Sequence, residues 1–128
     1  MDDTALFGED QDALAGPVFL VLESDILVAE DIIATLKEMG PCRATHLVQP
    51  DEIMEILLDG QPVTAAFLQM RLGDVAQSAF LQPLLERGAR IILTMGEEDE
   101  DSATAQGYRM LVRPFTDLMI RDILVDRA

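Results

Sequence analysis

Residues 17–28 read PVFLVLESDILV, and the change of pattern inside this stretch decides the fold. Val18 to Leu22 form a continuous apolar, β-prone run just after the turn-forming pair Gly16-Pro17. Five apolar residues without alternation suit a strand buried on both faces of a parallel sheet. From Asp25 the pattern changes. Leu27, Val28, Ile32, Ile33 and Leu36 recur near helical spacing, and the pattern stops at Met39-Gly40-Pro41. A strand that passes directly into a helix is one βα unit.

The same alternation continues along the chain. Ala44 to Val48 predicts a second strand, and Pro50-Asp51 opens a helix carrying Ile53, Met54, Ile56, Leu57 and Leu58 as far as Asp59-Gly60. Val63 to Leu68 predicts a third strand, Ala79 to Leu85 a third helix ended by Gly88, and Arg90 to Thr94 a fourth strand. The acidic run Glu97 to Asp101 opens a short fourth helix, Met110 to Val112 forms the fifth strand, and Thr116 to Val125 a last amphipathic helix. Five strands alternating with five helices predict an α/β fold, a doubly wound five-stranded parallel sheet covered on both faces. Residues 17–128 are read as this one domain. Residues 1–16 are read as an acidic arm, expected to be disordered because it holds too few apolar residues to pay for order.

A chain of 128 residues is long enough for one core without disulfides or metals. Cys42 is the only cysteine, so no internal disulfide can form, and its expected place is buried or half-buried in a reducing compartment. The longest apolar runs are far too short to span a bilayer, and the N-terminus has neither a basic nor an apolar targeting region. A cytoplasmic protein without membrane contact is expected. The net charge of −15 disfavours any general phosphate-directed surface, so nucleic acid is not an expected partner and basic or apolar protein surfaces are. His46, the only histidine, has no evident nucleophile partner and is read as a surface residue of the second strand.

In such sheets the loops beyond the carboxyl ends of the strands converge on a crevice. That rule selects Glu23, Ser24 and Asp25, then Gln69 to Asp74, Thr94 to Gly96, and Arg113-Pro114. Four segments around these positions, LVLESDILVAEDI (20–32), AAFLQMRLGD (65–74), IILTMG (91–96) and LVRPF (111–115), resemble the signature segments of response-regulator receiver domains. Their order and intervals match, and together they span nearly all of residues 17–126. The resemblance implies a CheY-like, flavodoxin-like three-layer sandwich and a stand-alone part in bacterial two-component or phosphorelay signalling. In that family two acids after strand one and an aspartate ending strand three hold Mg²⁺, and the aspartate accepts a phosphoryl group. A Thr or Ser ends strand four, and a Lys precedes a Pro after strand five.

Carried over by position, Glu23 matches the first acid, Ser24 stands at the second, Gln69 at the phosphoacceptor, Thr94 at the hydroxyl and Arg113 at the lysine. The amide of Gln69 carries no charge and is a very poor nucleophile. Mg²⁺ wants hard, mostly anionic oxygens, and only Glu23, helped by Asp25, offers one. The resemblance is therefore to a degenerate receiver, or pseudo-receiver, with no cofactor, no bound metal, no catalytic residue and no enzymatic activity expected. Arg71 or Arg113 is expected to pair with Glu23 and replace the missing metal charge. Breaking such a pair when fully buried costs about 3–5 kcal/mol. Met110 stands where the family often has a switch aromatic, and Tyr108, two residues earlier, is no substitute.

Function is then expected to lie in binding a protein, a histidine kinase or another signalling protein. The nominated interface is the face of the last strand and last two helices, with Tyr108, Met110, Phe115, Met119, Ile120 and Ile123, and a homodimer there is one form of it. Met119 and Ile120 cannot both point inward with Ile123, so one apolar side chain should lie outside. Two alternatives stand beside this reading: a receiver phosphorylated on Asp74 or Asp25, and an acidic decoy of a nucleic-acid-binding protein. Asp74 has the competing role of a turn or capping residue.

Overall fold

The computed structural model describes residues 16–95, 100–112 and 115–125. The pentad Val18–Leu22 forms β1, buried at every position, as a strand covered on both faces must be. The following helix, α1 (Ile26–Met39), is started by Asp25, whose carboxylate accepts the backbone N–H of Leu27 at 2.9 Å. That bond satisfies an otherwise orphaned helix donor. Substituting Asp25→Ala should cost about 1 kcal/mol in urea unfolding, and Asp25→Ser should recover most of it.

The remaining elements are β2 (Arg43–Leu47), α2 (Asp51–Leu58), β3 (Ala65–Leu68), α3 (Leu72–Ala76), α4 (Leu81–Glu86), β4 (Arg90–Leu93), α5 (Glu100–Ala105), β5 (Arg109–Met110) and α6 (Asp117–Val125). All five strands are parallel, in the order β2-β1-β3-β4-β5. This is the expected α/β doubly wound sheet. One difference is in the crossover from β3 to β4, which holds two short helices where the sequence predicts one. Leu72 and Val75 of α3 are buried at helical spacing, but five residues are too few to show a period.

Strand alternation divides the core. On one side Leu20, Leu22, Ala66, Leu68, Ile91 and Leu93 face Ile53, Leu57, Leu84 and Ala103 of α2, α4 and α5. On the other Phe19, Val21, Ala65, Phe67 and Ile92 face Ala29, Ile32 and Leu36 of α1 and Ile120 of α6. Three layers result. Gly88 and Gly107, with φ of 75° and 86°, end α4 and α5. At each, the glycine N–H and the next N–H bond back to carbonyls of the last turn, closing the helix and aiming the chain into the next strand.

Two nominated interface side chains belong to the core instead. Tyr108 is 7% exposed and packs with Ala103 among the cluster beneath α2 and α4, because the turn at Gly107 points it inward. Ile120 is 1% exposed and is the buried side chain of α6, packed in the cluster between the sheet and α1. Its neighbour Met119 faces outward, as the helical argument requires. Met110, Phe115 and Ile123 are half-buried against the two core clusters. The arm up to residue 15, residues 96–99 with the first part of the acidic run, Arg113-Pro114 and residues 126–128 lie outside the described residues. No helix among the described residues is long and apolar enough to cross a membrane.

Candidate functional site

Glu23, Gln69 and Thr94 each sit one position beyond the last paired residue of their strand, and the backbone of each is held by the neighbouring strand. Glu23 N–H donates to Leu47 O at 3.0 Å, Gln69 N–H to Leu22 O at 3.0 Å, and Thr94 N–H to Leu68 O at 2.9 Å. Leu22, Leu68 and Leu93 lie level across the sheet. Glu23, Gln69 and Thr94 therefore form the next row, and strand alternation turns their side chains toward the α1 and α6 layer. The switch in strand order at β1 places this row at the mouth of the topological crevice.

The row is tied together by the position-69 side chain. Gln69 Oε1 accepts the backbone N–H of Ser24 at 2.7 Å, joining the loop after β1 to the end of β3 across 45 residues of sequence. Glu23 is 1% exposed, and its Oε2 accepts the N–H of Asp25 at 3.0 Å. That bond fixes the turn into α1. Asp25 in turn spends its own carboxylate on the α1 cap. Ser24 is exposed, and Thr94 is buried at 1% exposure.

The remaining selected residues follow β3 or lie outside the described residues. Arg71 is exposed and stands at the head of α3, where its carbonyl accepts the N–H groups of Asp74 and Val75. Asp74 is exposed in the first turn of α3, five positions past the end of the Gln69 row, so Asp74 belongs to a helix start. Arg113 lies outside the described residues.

His46 departs from the sequence expectation. It is half-buried, and its Nε2 lies 2.8 Å from the carbonyl oxygen of Glu23. The ring braces the turn that carries the crevice acid. His46 pairs level with Val21, one residue before the strand end. Nearby, Glu52 accepts the N–H groups of Val48 and Gln49 at 2.9 and 2.8 Å, which hold its carboxyl below the usual range. That bond pair shapes the loop after β2. Cys42 is half-buried as expected, and burial raises its thiol pKa.

Three solved structures share this architecture. A response regulator receiver protein from Burkholderia phymatum matches with a TM-score of 0.60 at 20% identity, over 85% of this chain and 92% of that one. A CheY-like response regulator receiver domain protein from Methanospirillum hungatei JF-1 matches with a TM-score of 0.63 at 15% identity, over 84% and 90%. A response regulator receiver protein from Sinorhizobium medicae WSM419 matches with a TM-score of 0.63 at 16% identity, over 90% and 99%. No family model and no curated sequence matches the chain. At these identities the likeness is one of fold, and the fold of this chain is that of a CheY-like receiver domain.

Proposed function

We propose that the chain is a receiver-like module of two-component or phosphorelay signalling that works by phosphorylation-independent contact with a protein partner. One observation carries this reading. At the end of β3, where a receiver's acceptor carboxylate would stand, the Gln69 amide oxygen is engaged by Ser24 N–H at 2.7 Å. A neutral amide cannot attack phosphorus as a carboxylate does.

The surroundings support it. Glu23, Ser24 and Gln69 offer one anionic oxygen donor group among three positions, which does not fit the hard anionic shell of Mg²⁺. The Asp25 carboxylate is committed to the α1 cap and Asp74 stands exposed on α3, so neither is preorganised as an acceptor. A buried carboxylate needs compensation. In this reading Arg71 or Arg113 supplies it to Glu23. The partner is a signalling protein, a histidine kinase among the candidates.

Incubation with acetyl phosphate or phosphoramidate and Mg²⁺ should leave the intact mass unchanged. Beryllofluoride with Mg²⁺ should leave the amide NMR spectrum unchanged. A phosphoryl mass gain mapped to Asp25 or Asp74 would overturn the proposal.

A further inference from the structure

The sheet ends on one side at β2, whose inner neighbour is β1. Arg43 N–H donates to Pro17 O, and Leu47 O accepts Glu23 N–H, so Arg43, Thr45 and Leu47 turn their backbone groups toward β1. The N–H and C=O groups of Ala44 and His46 therefore point away from the sheet. Bulges and prolines are among the usual ways to blunt such an edge. Here the pairing runs without slip over five residues, and no proline stands between Arg43 and Leu47. Glu52 ends the edge, its Oε1 accepting the next outward donor, Val48 N–H, at 2.9 Å. The open length is Ala44 to His46.

These groups complement themselves. When two β2 strands pair antiparallel about a two-fold axis at Thr45, Ala44 of each copy lies opposite His46 of the other, and the two residues exchange both N–H···O bonds. Every outward donor and acceptor of Ala44 and His46 is then used, and the exposed Thr45 faces its own copy. The antiparallel run also sets Arg43, at the start of one β2, level with Leu47 and beside Glu52 at the end of the other. The first helix adds a second strip. Val28, Asp31, Thr35 and Glu38 of α1 line the space toward α6. At about 100° per residue, Ile26, Glu30, Ile33 and Lys37 take the opposite flank, on the β2 side. Ile26 is 58% exposed, and Glu30 and Lys37 are exposed with it. Ile33 stands near the middle of α1, so the same axis brings Lys37 of one copy near Glu30 of the other. A net charge of −15 on each chain opposes association, and these reciprocal pairs of opposite sign offset it locally.

We infer that the β2 edge is a self-association surface, on which a second copy of this chain pairs β2 with β2 to make one continuous ten-stranded sheet, with the two α1 helices side by side above it. The inference goes beyond the binding role proposed above and does not depend on the chemistry of position 69. It places the crevices of the two copies at opposite ends of the shared sheet, since the strands of one run against those of the other.

Sedimentation equilibrium of the full chain, from about 5 µM to about 1 mM, should show a monomer–dimer equilibrium with a dissociation constant on the order of 10–100 µM, as suits a short ladder. Ala44→Pro removes an outward donor and leaves the β1–β2 ladder intact, so it should weaken the dimer about tenfold or more. Glu30→Lys and Lys37→Glu, both on the surface, should each weaken it several-fold, and the two together should restore it. In a Cys42→Ala background, Thr45→Cys should form an interchain disulfide on air oxidation, because residues opposite each other in this kind of pair have Cα atoms about 4.5 Å apart. Leu118→Cys in the same background should not. A monomer throughout the concentration range would overturn the inference. So would a dimer indifferent to both single charge reversals, a folded Ala44→Pro chain that dimerises as well as wild type, or cross-linking through position 118 in preference to 45.

Discussion

A chain carrying Ser24→Asp together with Gln69→Asp is expected to take up a phosphoryl group from acetyl phosphate in the presence of Mg²⁺, where the wild-type chain takes up none. The expectation follows from placement. The position-69 side chain already reaches the loop after β1, 2.7 Å from Ser24 N, and Glu23 is fixed beside it by the Asp25 N–H. Two new carboxylates at 24 and 69 would complete an anionic cluster with a buried member, and one of them would be a competent nucleophile. The same cluster makes a second readout available. Like charges held close disfavour ionisation, so without metal the double variant should lose on the order of 1–3 kcal/mol at neutral pH. Mg²⁺ binds the folded state and should restore it, giving a melting temperature that rises with Mg²⁺ in the variant and stays flat in wild type. No label and a flat melting curve in the variant would show that the crevice is not poised as described.

The largest stability effect is expected from Phe67→Ala, about 3–5 kcal/mol by urea unfolding. Phe67 is fully buried in β3, level with Val21 of β1 and Ile92 of β4, so it has a strand on either side. Its ring lies 6.5 Å from that of Phe19 at 57°, a tilted aromatic pair. Removing it leaves a cavity in the layer between the sheet and α1, where neither a strand nor a 14-residue helix can collapse inward. Against a typical total of about 5–15 kcal/mol, that loss would unfold a large share of molecules near physiological temperature. A loss below about 1 kcal/mol would mean that this layer repacks freely. Phe67→Leu should retain most of the stability.

The fold was legible where burial leaves a pattern. Val18–Leu22 and the apolar period of α1 could be read because their positions answer to water on one side and core on the other. β5 was placed one residue late at its start and two at its end, since the apolar run 110–112 reports burial while pairing with β4 covers only Arg109 and Met110. Tyr108 was assigned to the interface face of the last strand and last two helices. Its inward direction depends on a positive-φ turn that hydrophobic spacing does not express. Within the crevice, residue types and strand ends identified Glu23, Ser24, Gln69 and Thr94. The Gln69–Ser24 bond and the His46 brace were not legible, because each joins a side chain to a backbone group far away in sequence.

The pairing of β1 with β3 also governs how the chain reaches its native state. Two hydrogen bonds bracket that pair, Val18 N–H to Thr64 Oγ1 at one end and Ser24 N–H to Gln69 Oε1 at the other, spanning 46 and 45 residues. Closing so long a loop costs entropy before any contact repays it, and the α1–β2–α2 segment between must already be compact to shorten the search. The crevice is thus a product of the slow, non-local step of folding. A partly folded chain can own helices and even the β1–β2 pair, yet it has no crevice until β3 arrives.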